Sequence, residues 1–167
     1  MINQFALWLQ YFFTLIVVFL GIYVGALLAY LSPEELKGGK KYFRGMMHTL
    51  VAIAIGLLVF HFGPVVLAIA IGILVIFMLY MLPDSAPVDQ ILYILMGFVF
   101  LASTRSQDLF IAIAAIIFLI GLPLGSRYVE RHPKKSKDTV AADILLIYGG
   151  FLVIALISYI GYLYMMR

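Results

Sequence analysis

The sequence predicts an all-α membrane protein, a bundle of about six transmembrane helices in one domain covering residues 1–167. Three observations support this prediction. The composition is 65% hydrophobic and 11% charged, with a mean hydropathy of +1.14, whereas a soluble domain has about 25% charged residues. Residues 45–83 contain no Asp, Glu, Lys or Arg. Short polar segments divide the rest of the chain into apolar stretches long enough to cross a bilayer.

The first predicted span, 4–31, begins in a cluster of aromatic residues typical of the membrane–water interface. Its second half carries small residues on one helical face, namely Gly21, Gly25 and Ala29. Such a row lets another helix approach closely. We interpret it as a packing face inside one chain, with a dimer contact as the alternative.

A short interfacial helix is predicted next. Ser32 and Pro33 suit the cap and the first helical position, and Glu35 suits the capping-box position. Gly38 and Gly39 are expected to end this helix after about one turn.

The charge-free stretch 45–83 is too long for a single spanning helix. As one helix it would extend roughly 58 Å at ~1.5 Å per residue, about twice the ~30 Å hydrocarbon core. His61, Phe62, Gly63 and Pro64 interrupt it, because glycine permits a turn and proline lacks a backbone donor.

Two similar apolar segments flank this interruption and predict an antiparallel hairpin of spans 46–62 and 64–82. Gly56 and Gly72 occupy equivalent places in these two segments. Both are therefore predicted helix-packing positions.

Three more spans are predicted after the hairpin. They are 87–104, 109–124 and 142–166. Asp89 falls in the first turn of the fourth span, where the helix dipole favours an anion. Pro123 and Gly125 are expected to end the fifth span, so that residues 126–143 form the longest loop.

Lysine and arginine are concentrated in two of the predicted loops. Nine of the eleven basic residues lie in the loops after the first and fifth spans. Six spans put both loops on one side. The positive-inside rule then predicts a multi-pass cell-membrane protein with cytoplasmic basic loops and both termini outside.

The sequence argues against several kinds of chemistry. No Asp, Glu, Lys or Arg falls in the middle of a predicted span, which disfavours a proton-coupled carrier with a buried carboxylate. The chain has no cysteine and lacks the signatures of phosphate-binding loops, zinc proteases and serine hydrolases. His48, His61 and His132 are interpreted as interfacial, turn or solvated residues. We predict no catalytic residue, cofactor, metal site or nucleic-acid partner.

The basic loops supply the candidate binding residues. Clustered lysine and arginine beside a span attract anionic lipid headgroups by about 1 kcal/mol per residue. Arginine can also hold a phosphate with paired donors. The predicted lipid- or phosphate-binding residues are Arg44, Arg127, Lys40, Lys41 and Arg131. The alternative is that these residues only fix the topology. Asp84 and Asp89 accompany them, but two carboxylates in different turns do not define a magnesium site.

Three functions remain open from the sequence. The favoured one is a non-enzymatic channel, carrier or transport subunit. The second is a structural or accessory subunit of a larger membrane complex. The third is an enzyme that acts on an anionic or phosphorylated lipid at the cytoplasmic face. The expected partners are anionic membrane lipids, a second copy of the chain or a larger membrane complex.

Overall fold

The computed structural model describes residues 2–165, which form seven helices and no β-strand. The helices are α1 (Ile2–Leu31), α2 (Pro33–Phe62), α3 (Val65–Met81), α4 (Ala86–Ser103), α5 (Gln107–Arg131), α6 (Lys137–Tyr148) and α7 (Gly150–Met165). The last two continue one another, with only Gly149 between them.

Five helical stretches of the described chain are long and apolar enough to cross a membrane. They are Trp8–Leu31, Lys41–Phe62, Ala86–Ser103, Gln107–Arg131 and Lys137–Gly161. The remaining apolar helix, α3, has 17 residues, which is the lower limit for a span. The predicted all-helical membrane bundle is therefore confirmed.

The relative directions of packed helices indicate that α3 crosses as well. α1 runs parallel to α5, because a Cβ on Gly21 would meet Phe118 and one on Gly25 would meet Leu122. Two spans can be parallel only if an odd number of crossings separates them. α2 and α4 alone would make α5 antiparallel to α1, so α3 is the additional crossing.

Helices α1, α3 and α5 thus end at the same end of the bundle, and α2, α4 and α6 begin there. We call it the charged end, because Arg44, Asp84, Arg127 and Asp143 lie there. The opposite end, called the distal end, contains the α2–α3 turn and Arg105.

Close packing of α1 against α5 forms the centre of the bundle. The α1 glycines, Gly21 and Gly25, lie against the backbone of α5 in the same chain. Ser126 on α5 donates a hydrogen bond from Oγ to the carbonyl oxygen of Gly25 at 3.0 Å. Ala29, the third small residue of the predicted row, is buried.

The two hairpin glycines differ from this pattern. A Cβ on Gly56 would stand 3.9 Å from the carbonyl oxygen of Ala68, an ordinary contact rather than a close approach. A Cβ on Gly72 would meet nothing within 4 Å among the described residues. Gly72 nevertheless lies on the same face of α3 as the buried residues Ala68 and Leu79, so its assignment as a helix-packing position stays a prediction.

Aromatic rings fill the interior of the distal half. The Tyr11 ring stacks on Tyr159 at 4.1 Å between centroids and lies 5.1 Å from Phe100 and 6.1 Å from Phe110. The Tyr11 hydroxyl donates to the carbonyl oxygen of Ala155 at 2.9 Å. These contacts join α1 to α4, α5 and α7.

The predicted interfacial helix is not separate from the second span. α2 continues from Pro33 through Gly38 and Gly39 to Phe62, and no described glycine has a positive φ. A glycine in a helix interior costs only about 1 kcal/mol relative to alanine, and nucleating a second helix is unfavourable. His61 accordingly lies in the last turn of α2 rather than in a loop.

The predicted end of the fifth span is also wrong. α5 continues through Pro123 and Gly125 to Arg131, which leaves only residues 132–136 as a loop before α6. Membrane helices tolerate proline where neighbouring helices cover the freed backbone groups, and Pro123 is buried. Gly125 lies against the backbone of Ile22, so it is a packing residue rather than a helix stop. The predicted sixth span, 142–166, begins earlier, at Lys137, and its final residue lies outside the described chain.

Candidate functional site

The charged end contains a cluster of two arginines and two aspartates, of which Arg127 and Asp89 are buried. Arg127 and Arg131 lie on α5 four positions apart, so that they share one helical face. Asp84 lies in the turn between α3 and α4, and Asp89 lies in the first turn of α4. We call these four residues the Arg–Asp cluster.

Each arginine of this cluster bridges both aspartates. Arg127 pairs Nη1 with Asp89 Oδ1 at 3.0 Å and Nη2 with Asp84 Oδ1. Arg131 pairs Nη1 with Asp89 Oδ2 at 2.8 Å and Nη2 with Asp84 Oδ1 at 3.0 Å. Arg127 is only 1% exposed, and the side chain of Asp89 is 3% exposed. The four charges compensate one another, which buried ionic groups require.

His48 on α2 lies beside this cluster and is 2% exposed. Its ring stands edge-on to the ring of Tyr80, with 5.4 Å between centroids. The charged residues that interact electrostatically with the ring are Arg44, Arg127 and Asp84. The sequence-based interpretation of His48 as a solvated residue is therefore wrong, because the ring is buried and packs against Tyr80 of α3.

Two buried nitrogens at this site have no hydrogen-bond partner among the described residues. They are Nδ1 of His48 and Nε of Arg127. Buried polar atoms are normally satisfied, and one that is not calls for an explanation such as a ligand or a bound water. Each of these nitrogens could therefore still form a hydrogen bond with a water molecule or another polar group.

Arg44 closes the site from the side of α2. Its Nη2 donates to the carbonyl oxygen of Leu82 at 2.5 Å, which links α2 to the C-terminal end of α3. Arg44 on α2 and Arg127 near the end of α5 both interact electrostatically with His48, so the two helices approach each other around this ring.

The predicted binding residues are thus divided between two environments. Arg44, Arg127 and Arg131 come together around Asp84, Asp89 and His48. Lys41 is exposed on α2, and among the described residues it forms no ion pair with Asp84 or Asp89. Lys40 also lies on α2, and its side chain is outside the part that the structure describes.

A second polar group ties the short loop 132–136 to α6. Lys135 donates from Nζ to Asp143 Oδ2 at 2.7 Å and to Tyr128 Oη at 3.2 Å, and the Tyr128 hydroxyl donates to Asp143 at 2.9 Å. These hydrogen bonds, first that to Asp143, raise the pKa of Lys135. Lys137 lies 5.6 Å from the ring centroid of Tyr30. Both lysines therefore interact with other residues of the same chain.

Sequence reasoning placed Asp84 and Asp89 at the same end as the arginines but missed their ion pairs and the burial of His48. The available signal was the spacing of Asp84 and Asp89 around the start of α4, opposite Arg127 and Arg131 at i and i+4. Among the described residues, no group of three His, Asp or Glu side chains could hold a metal ion.

The comparisons with known proteins identify no relative. No protein-family model, curated protein or solved structure matches this chain.

Proposed function

We propose that this chain is a non-enzymatic membrane protein that binds an anionic lipid headgroup at the charged end. One observation carries the proposal. Arg127 and Arg131 pair with Asp84 and Asp89, and Arg44, whose Nη2 donates to the carbonyl oxygen of Leu82, adds a third guanidinium. These five side chains together carry a net charge of +1, near the unpartnered nitrogens of His48 and Arg127. A headgroup with one negative charge, such as a phosphodiester, would balance this charge.

The rest of the bundle favours a ligand bound at one end over a solute conducted through the middle. Tyr11, Phe100, Phe110 and Phe151 pack together in the interior, where a central pathway would have to pass. The Arg–Asp cluster lies instead at a helix end, where we expect lipid headgroups. A phosphate oxygen there would accept hydrogen bonds from Arg44, which is only half-buried.

The test compares Arg44→Gln with Lys134→Gln. Both changes remove one positive charge at the charged end, but only Arg44 touches the site. We expect Arg44→Gln to weaken retention of a phosphatidylglycerol lipid about fivefold, the effect of about 1 kcal/mol per basic residue. Lys134→Gln should change retention little, because Lys134 is exposed. Native mass spectrometry of the purified protein at one salt concentration measures the retained lipid.

Two further arms complete the experiment. Arg44→Lys keeps the charge and should restore part of the retention. Excess inorganic phosphate should not displace the lipid, which separates a lipid site from a free-phosphate site. Equal retention in Arg44→Gln, Lys134→Gln and the parent would contradict the proposal. In that case a stoichiometric protein partner would favour an accessory subunit, and a chemically altered lipid would favour an enzyme.

A further inference from the structure

A second concave surface lies at the distal end, away from the Arg–Asp cluster. It is a groove between α2 and α4 with a volume of about 380 Å³. Its lining residues are Leu58, Phe62, Phe98, Leu101, Ala102, Thr104 and Arg105. The groove shares no residue with the site proposed above.

The walls of the groove are apolar, and its mouth is cationic. The hydroxyl of Thr104 is occupied, because it donates to the carbonyl oxygen of Leu101 at 2.7 Å. The guanidinium carbon of Arg105 lies 5.4 Å from the ring centroid of Phe62, a cation–π contact that holds Arg105 over the α2 wall. Asp108, the nearest acidic residue in sequence, lies in the first turn of α5 and is not part of the lining.

We infer that this groove binds one acyl chain of an anionic membrane lipid, with the lipid headgroup at Arg105. Phe98 and Arg105 are seven positions apart, so the groove extends about 10 Å along α4, roughly a third of the ~30 Å hydrocarbon core. That length suits the upper part of an acyl chain lying below a headgroup at the interface. The charge of Arg105 selects the anionic class, since a zwitterionic headgroup gains little from one cation.

The chain contains one tryptophan, Trp8, so a pair of substitutions can place the single tryptophan in the groove as a fluorescent reporter. A Trp8→Phe, Phe98→Trp variant carries the reporter on a groove wall, where Phe98 is half exposed. Brominated lipids quench tryptophan fluorescence on contact. Quenching in vesicles by a brominated phosphatidylglycerol and by a brominated phosphatidylcholine gives the ratio of the binding constants of the two lipids. We expect a preference of about fivefold, because one basic residue attracts an anionic headgroup by about 1 kcal/mol.

Two controls make the result specific. A Trp8→Phe, Ile69→Trp variant reports on an exposed face of α3 outside the groove and should show no preference between the two lipids. Adding Arg105→Gln to the Phe98 reporter should abolish its preference while leaving total quenching unchanged, which also shows that the protein still inserts. Equal preference at both reporters, or a preference that survives Arg105→Gln, would overturn the inference. Because Arg44 and His48 play no part, failure here leaves the proposal for the charged end untouched.

Discussion

Two buried tyrosines of this bundle differ in a single hydrogen bond. The hydroxyl of Tyr11 donates to the carbonyl oxygen of Ala155 at 2.9 Å. The hydroxyl of Tyr93 is buried without a hydrogen-bond partner among the described residues. Both rings pack against other aromatic residues, so the comparison isolates the polar atom.

We expect Tyr11→Phe to lower the free energy of unfolding by about 0.5–1.5 kcal/mol, the value of a typical hydrogen bond. Tyr93→Phe should leave it unchanged or raise it, because a buried hydroxyl without a partner costs about 1–3 kcal/mol. Thermal unfolding of both variants in one detergent measures the difference. A loss of stability in Tyr93→Phe as large as that in Tyr11→Phe would contradict the prediction.

The arginines also show how a residue's role depends on its partners. From the sequence, Arg127 resembled an exposed loop residue able to hold a phosphate, because residues 126–143 had the composition of a loop. In the structure Arg127 is buried and paired with two aspartates. Its burial depends on α5 extending beyond Pro123, which the local composition could not reveal. The convergence of Arg44 with Arg127 depends on tertiary packing and was only a hypothesis.

Among pairs of elements, the contact between α1 and α5 is the closest described here. A Cβ on Gly25 would overlap the carbonyl oxygen of Leu122, and one on Gly125 would overlap that of Ile22. Two glycine faces therefore allow the two backbones to touch, as small residues do in membrane helices generally.

Gly25→Ala should lower the free energy of unfolding by about 1–3 kcal/mol, because the new methyl group forces the helices apart. The matched control is Gly72→Ala on α3, where a Cβ meets open space. That change should be neutral or stabilising by up to about 1 kcal/mol, through the higher helix propensity of alanine. The two variants are compared by denaturant unfolding in detergent. Equal losses would show that Gly25 is not a close contact.

The existence of each membrane helix could be predicted, whereas several helix ends could not. An apolar stretch of spanning length has no alternative to the helix in lipid, so composition and length decide. Helix ends depend on small energies. Gly38 and Gly39 fail to stop α2, and Pro123 fails to stop α5, because each costs less than a broken helix.

For the whole molecule, two pairs of parallel helices, α1 with α5 and α4 with α7, determine which loops lie at the same end of the bundle. Gln90 on α4 donates to the carbonyl oxygen of Ile147 on α6 at 2.8 Å. Seven positions further along α4, Gly97 lies beside Phe151 on α7, so α4 runs parallel to the continuous stretch α6–α7. Ser136 and Gln107 consequently lie at opposite ends of the bundle.

Because the chain has no cysteine, single cysteines can report this sidedness. Gln107→Cys should react with an impermeant thiol reagent applied to intact cells. Ser136→Cys should react only after the membrane is permeabilised, since the positive-inside rule assigns its loop to the cytoplasm. Labelling of both cysteines from the same side would contradict the crossing of α5, the helix that separates them. The reverse pattern would invert the orientation but keep that crossing.

The pairing of α1 with α5 also has a consequence for biosynthesis. The carbonyl of Gly25 meets a hydroxyl that lies 101 positions further along the chain. At about 5–20 residues per second, a ribosome needs about 5–20 s to add that much chain. During this interval the glycine face of α1 has no α5 to pack against, so the closest helix contact of the bundle can form only late in synthesis.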